Sequence, residues 1–255
     1  MDNYIVNCIS SWTDFNKKKY IQLGIGLEIQ DFIHPDLLDE GWENRVSEYK
    51  NMLKGYPNIL SLHGPFLDLK PVSPDKKIRE MSYDRYLLTL NIGKRLDVDY
   101  IIFHSQINPW IKEPKIKELT NNSYKKFWNQ ILEEIVDYKG KILIENIFED
   151  DPILIKDLID TIDLPNVKVC LDIGHAILGN KGSKNGLEKW IKVLKERIEY
   201  IHLHWNNGIY DEHNRPSKEN IVFLKKLLEE HNLEPVIALE YDICDLDEEI
   251  KRIQD

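Results

Sequence analysis

Short runs of Ile, Val and Leu recur along the chain, and the stretches between them carry apolar residues at helical spacing. The runs predict eight strands: Tyr4 to Ile9, Gly24 to Ile29, Ile59 to His63, Tyr100 to His104, Lys141 to Glu145, Val167 to Asp172, Tyr200 to His204 and Val236 to Glu240. The helices between them carry start signals. Ser73-Pro74-Asp75 offers an N-cap with proline in the first turn, and Ile78, Met81, Leu88 and Ile92 then share a broad face. Asn185 and Glu188 resemble a capping box ahead of Leu187, Ile191, Leu194 and Ile198, and Ser217 precedes Ile221, Leu224 and Leu228. Such stripes cover a sheet.

Strands alternating with helices imply right-handed crossovers and a parallel sheet. Eight units in this length favour a closed (β/α)8 TIM barrel of the α/β class over an open doubly wound sheet. The connection from Ser10 to Leu23 is short for a helix and predicts an irregular first unit. No Gly/Ser-rich linker or fixed repeat divides the chain, so residues 1–255 read as one domain.

Composition narrows the partners. The 255 residues hold 34 Lys and Arg against 44 Asp and Glu, a formal charge of −10, which argues against a general grip on nucleic acid or anionic lipid. Cys8, Cys170 and Cys244 are widely spaced and read as buried thiols in a reducing compartment. The start, Met1-Asp2-Asn3-Tyr4, lacks the pattern of a signal peptide, and no apolar run is long enough to span a bilayer. These features predict a cytoplasmic protein without a membrane partner. Nothing in the sequence fixes the oligomeric state.

The strand ends carry the chemistry. In order they read Leu62-His63-Gly64-Pro65, Phe103-His104-Ser105, Ile144-Glu145-Asn146, Leu171-Asp172-Ile173-Gly174-His175, His202-Leu203-His204 and Leu239-Glu240-Tyr241. In a parallel barrel these ends converge on one mouth. A lone His or Glu at such a place is usually a hydrogen-bonded rim residue. Six in succession are another matter, because Glu145, Asp172 and Glu240 buried together without a cation would repel at a cost of several kcal/mol. Carboxylate and imidazole are ligands for zinc, manganese and related divalent ions. Asp211 and His213 follow the seventh strand and add a further pair. His202 and His204 are two apart on one strand, so either can face the mouth. His34 and His231 read as surface residues.

On these segments, together with His63-Gly64-Pro65-Phe66 and the stretch from His202 to His213, the sequence resembles the xylose isomerase-like TIM barrel superfamily, from the second strand to the eighth. That superfamily includes sugar phosphate isomerases and epimerases and the zinc-dependent apurinic endonucleases. The resemblance implies a metal tetrad on Glu145, Asp172, Glu240 and one of His202 or His204. Endonuclease-like members add ligands for two more zinc ions, at the positions of His63, His104, His175, Asp211 and His213. The chain departs from many relatives at Trp205, often aspartate, and at 214–220, where Asn214-Arg215-Pro216 stands in place of a Gly-x-Gly turn.

The leading expectation is therefore a sugar or sugar phosphate isomerase or epimerase, with one to three Zn or Mn ions. Glu145 and Glu240 would act as acid and base through an enediolate. His63, His104, His175 and Trp205 would contact a small polyhydroxylated or phosphorylated substrate, with Trp110 and Phe66 as further apolar walls. The alternative is a zinc-dependent phosphoester hydrolase, using one or two of Lys70, Arg79 or Arg215 against the phosphate. No Walker loop, nucleophile elbow or dinucleotide fingerprint is present.

Overall fold

The structure is a computed structural model that describes residues 4–135 and 137–254. Residues 1–3, which entered the reading of the chain's start, and the side chain of Asn185 lie outside the described residues. Eight strands close into one barrel: β1 (Ile5–Ile9), β2 (Gly26–Ile29), β3 (Leu60–His63), β4 (Tyr100–His104), β5 (Lys141–Glu145), β6 (Val167–Asp172), β7 (Ile198–Leu203) and β8 (Val236–Leu239). Each pairs in parallel with its sequence neighbours, and β1 pairs with β8. The helices are α1 (Lys17–Leu23), α2 (Pro35–Asp39), α3 (Trp42–Leu53), α4 (Lys76–Leu96), α5 (Pro114–Glu133), α6 (Ile153–Ile162), α7 (Ile173–Gly179), α8 (Lys184–Leu194), α9 (Lys218–Glu230) and α10 (Leu246–Gln254).

The strands are continuous apolar runs because both faces are buried. Outward residues such as Ile101, Phe103, Ile144 and Leu171 meet the helices, while Val6, Ile102, Leu143, Cys170, Tyr200 and Ala238 pack inside the barrel. The first unit contains a short helix after all: α1 starts at the Asn16 cap, whose side chain accepts from Lys19 N, and stops at Gly24 in the left-handed region with φ +67°. Glycine holds that turn without a Cβ penalty.

Several sequence expectations shift. The cap of α4 is Asp75, accepting from Lys77 N at 2.8 Å, rather than Ser73. Its buried face runs through Ser82, Tyr86, Leu90, Gly93 and Leu96, whereas Ile78 and Met81 are exposed. Ser82 and Thr89 can be buried because their hydroxyls donate to Ile78 O and Arg85 O. Helix α8 begins after Ser183, two residues before the predicted cap, and Ile198 opens β7 instead of ending the helical stripe. Ser217 caps α9 as expected, accepting from Asn220 N at 3.2 Å. Of the thiols only Cys170 is fully buried; Cys8 is half-buried and Cys244 exposed. His34 is exposed and His231 half-buried. Among the described residues no helix is long and apolar enough to cross a membrane.

Candidate metal centre

The period of two along a strand sets the site. One pleat beyond the inward residues Ile102, Leu143, Cys170, Tyr200 and Ala238 come His104, Glu145, Asp172, His202 and Glu240. The same barrel face that is filled with apolar side chains below thus turns into donors at the mouth. Local bonds then fix individual groups. Asp172 caps α7, its Oδ1 accepting from His175 N at 2.6 Å, which leaves Oδ2 facing the interior. Asn146 ties β5 to β6, accepting from Asp172 N at 2.9 Å and donating to Asp172 O at 3.0 Å. Gly174 is obligatory here, since a Cβ would lie 1.9 Å from Cε1 of His204.

The donors fall into groups that share members. His202 Nδ1 stands 3.4 Å from Glu145 Oε1, 3.3 Å from Glu240 Oε2 and 3.9 Å from Asp172 Oδ2. On the other oxygen of Glu145, Oε2 lies 3.1 Å from His63 Nε2 and 3.5 Å from His104 Nε2. Further out, Asp211 Oδ2 is 3.2 Å from both His175 Nε2 and His213 Nε2. The loop carrying Asp211 and His213 is folded back over the mouth by an antiparallel bridge, Trp205 N to Asn214 O and Asn214 N to Trp205 O, both 2.8 Å. His213 itself adopts φ +47°, an uncommon backbone for a non-glycine residue and one that concentrates at functional sites.

The tautomers are readable from the acceptors. His63 donates Nδ1–H to Gly64 O, His175 to Asn146 O and His213 to Glu240 O, at 2.8, 2.9 and 3.0 Å. Each Nε2 that faces a carboxylate therefore carries a lone pair unless a proton or a cation lies between. His202 is the mirror case, donating Nε2–H to Glu28 at 3.0 Å and leaving Nδ1 buried with no hydrogen-bond partner. An orphaned buried nitrogen costs about 1–3 kcal/mol, and this one is aimed at three carboxylates.

Two further observations fit a divalent ion. Bonds of about 2.0–2.2 Å at tetrahedral angles put neighbouring donors about 3.3–3.6 Å apart, close to most of the separations above. The titration behaviour also shows protons filling in for missing positive charge. Burial would lower His175, His202 and His63, but neighbouring acidic groups raise all three, Asp172 first at His175, Cys170 and then Glu240 at His202, and Glu145 at His63, with His175 and His202 far above the usual value. Burial likewise opposes the rise of His213, which Asp211 and Glu240 carry up to about 9. Burial would raise Glu145, yet His104 and His202 hold it well below the carboxylate range, and Asp172 and Asp211 are lowered against burial by their own histidines. His104 is the exception: burial takes it down to about 3, so at neutral pH its ring is uncharged and it acts on Glu145 only at acid pH, where both groups titrate.

The structure brings together Glu145, Asp172, His202, Glu240, His63, His104, His175, Asp211 and His213. His204 sits between the groups, its Nε2 3.1 Å from Asp172 Oδ2 and its ring stacked on His213 at 3.9 Å. Residues from both groups line one cavity of about 240 Å³, walled by Phe66, Ile33 and Ile147. Trp205 does not line it: its ring packs against the core and its backbone pins the loop. Trp110, 87% exposed, borders an adjoining cavity with Lys70 and Phe148. Arg79 is engaged with Ser73 O and Arg215 with buried Glu249. A larger cavity of about 720 Å³ lies between α4 and α5 on the flank and holds none of these donors. The sequence reading missed Glu28, fully buried beneath His202.

The match to the family described as xylose isomerase-like TIM barrel covers residues 20–242, and the chain belongs to that family. Among its relatives, the uncharacterized protein MJ1311 of Methanocaldococcus jannaschii is 27% identical over 193 residues, 72% of this chain. The chain spans only 65% of that protein's length. Of solved structures, the TTHB071 protein from Thermus thermophilus, soaked with ZnCl2, superposes with TM-score 0.72 at 22% identity over 95% of this chain and 93% of that one. A D-tagatose 3-epimerase-like protein gives TM-score 0.72 at 20% identity, covering 98% and 94%. A D-psicose 3-epimerase and an L-ribulose 3-epimerase share the barrel, with TM-scores of 0.67 and 0.65. At such identities these likenesses show the fold.

Proposed function

We propose that the chain is a metal-dependent phosphoester hydrolase with two or three divalent ions, zinc fitting the nitrogen-rich donor set best. The observation that carries this reading is Asp211, whose Oδ2 lies 3.2 Å from two histidines whose other ring nitrogens are committed to backbone carbonyls. An acid and base pair around a sugar chelated at the inner group would make no direct use of this outer set.

His202 Nδ1, Glu145, Asp172 and Glu240 would hold the inner ion; His63 and His104 would hold a second through the shared Glu145; His175, Asp211 and His213 would hold the third. Bound there, such ions supply neutralisation of phosphoryl oxygens and activation of water for in-line attack. Charge balance supports the assignment. Four carboxylates face the mouth, Glu145, Asp172, Asp211 and Glu240. With Glu28 beneath them counted as well, three divalent ions exceed the carboxylates by one charge and suit a phosphate anion, whereas one ion leaves the group three charges negative and hostile to it. The mouth thus needs no arginine to attract its substrate, in keeping with a cavity lining that lacks Lys and Arg. Phe66, Ile33 and Ile147 exclude water on the apolar side, and the 240 Å³ cavity limits the part of the substrate that enters to a small group.

The second reading, a sugar isomerase or epimerase, is favoured by one observation. Glu145 and Glu240, on β5 and at the end of β8, both face the same point at His202 Nδ1, a disposition suited to an acid and base pair around a chelated sugar. A chromogenic phosphodiester assayed beside a panel of ketoses and sugar phosphates separates the two. Zinc-dependent turnover of the diester, lost in Asp211→Asn, is the expected result. Ketose epimerisation indifferent to Asp211→Asn would replace this reading with the second.

A further inference from the structure

Glu28 is a carboxylate on β2 with no exposed surface and, among the described residues, no ion pair to lysine or arginine, yet both of its oxygens accept hydrogen bonds. His202 Nε2 donates to both of its oxygens at 3.0 and 3.1 Å, Tyr200 Oη–H donates at 2.8 Å, and Gln30 Nε2 at 3.2 Å. Tyr200 is itself held by Ser61 at 3.0 Å. Gln30 reaches the other way too, its Nε2 lying 2.7 Å from Glu240 Oε1. One buried carboxylate on β2 is thereby linked directly to His202 on β7 and, through Gln30, to Glu240 just beyond β8.

Cys8, Glu28 and His202 also lie close enough together to be read as a ligand group of their own. The hydrogen bonds decide against it. An ion there would have to take the Nε2 position that His202 uses to donate to Glu28, and would compete with the Tyr200 hydroxyl and the Gln30 amide for the Glu28 oxygens. It would also leave Nδ1 bare in front of three carboxylates.

We propose that Glu28 and Gln30 form a positioning pair for the inner donor group. Glu28 fixes His202 as the Nε2–H tautomer so that Nδ1 stays aimed at Glu145, Asp172 and Glu240, and Gln30 ties Glu240 to the same anchor. The assignment rests on the reading that this group holds a divalent ion. A carboxylate behind a ligating imidazole orients the ring and makes its free nitrogen a better donor, and loss of such a partner weakens metal binding by about 10- to 100-fold. A carboxylate kept only for packing would have no such effect on the ion.

The test is zinc affinity, read by competition with a chromogenic chelator on the full chain, with cobalt d–d absorption as a second readout of ligand geometry. Glu28→Gln, nearly the same shape, keeps an acceptor for His202 but loses the charge, and weakens the tightest site about 10-fold. Glu28→Leu weakens it about 100-fold and shifts the cobalt spectrum. In a His202→Ala background, Glu28→Leu has no additional effect on the residual affinity, because the carboxylate acts through that ring. The proposal is overturned by wild-type zinc affinity and cobalt spectrum in Glu28→Gln and Glu28→Leu, or by an equal loss with and without His202. Wild-type protein that binds no zinc overturns the metal reading along with it, whereas wild-type binding with indifferent Glu28 variants overturns the positioning pair alone.

Discussion

Glu145, Asp172 and His202 stand on strands paired on both sides, and all are almost completely buried. Asp211 and His213 hang on a loop held back by the Trp205–Asn214 bridge, with side chains 38% and 39% exposed. The same residue types therefore do related work from two kinds of backbone. The inner group is fixed by the barrel and carries its own supports in Asn146, Glu28 and Gln30. The outer group depends on a local fold held by that isolated bridge, the kind of segment that opens at lower free energy than a closed barrel. On the proposed metal reading, that contrast predicts a tightly held inner ion and a more exchangeable outer one.

The largest expected effect comes from removing the member common to two groups. Glu145→Gln takes a charge from both the His63–His104 side and the His202 side, and diester turnover should fall by about a thousandfold or more, with at least one ion lost on elemental analysis. Asp211→Asn is next: it should abolish loading of the outer position alone, lowering turnover by about a hundredfold while leaving thermal stability of the inner, metal-loaded barrel intact. Comparable loss of all ions in this variant would erase the distinction between the two regions.

The pH response separates them further. In metal-free protein His213 is raised from 6.5 to about 9, so its contribution to stability is complete below pH 6.5 and fades as pH rises through 9. Melting temperature with chelator present should thus decline over that interval. With zinc present the trend reverses, because ligation displaces those protons and tightens as pH rises. Parallel curves with and without zinc would show that the histidines bind no ion. The smallest effect is expected from Asn214→Pro, which removes the N–H that Trp205 O accepts. Outer-site zinc affinity should drop roughly 10-fold by loosening of the loop, with the inner affinity unchanged in the same titration.

Much of this was legible in the sequence, for physical reasons that also set the limits. Parallel strands buried on both faces read as apolar runs, so all eight were visible, and all but β2 and β7 were placed to within a residue at each end. Donors at strand ends stood out because ionisable residues rarely follow such runs. Glu28 escaped because it sits inside the short second strand, although a carboxylate between Leu27 and Ile29 was itself the signal. His202 and His204 share a strand face, so only the structure could set His202 among Glu145 and Glu240 and His204 beside Asp172 and His213. Helix α4 was misread because hydrophobicity alone placed Ile78 and Met81 inward, while Ser82 and Thr89, satisfied by their own backbone, occupy the buried face. Trp205 looked like a substrate wall, and the antiparallel bridge that gives it another task joins residues nine apart with no strand pattern.

Equilibrium dialysis of the purified chain against zinc, followed by elemental analysis, addresses the central claim most directly. Two or three ions per chain, with one fewer in Asp211→Asn, is the result expected from the donor groups. A count of zero, or of one that Asp211→Asn leaves untouched, would contradict it.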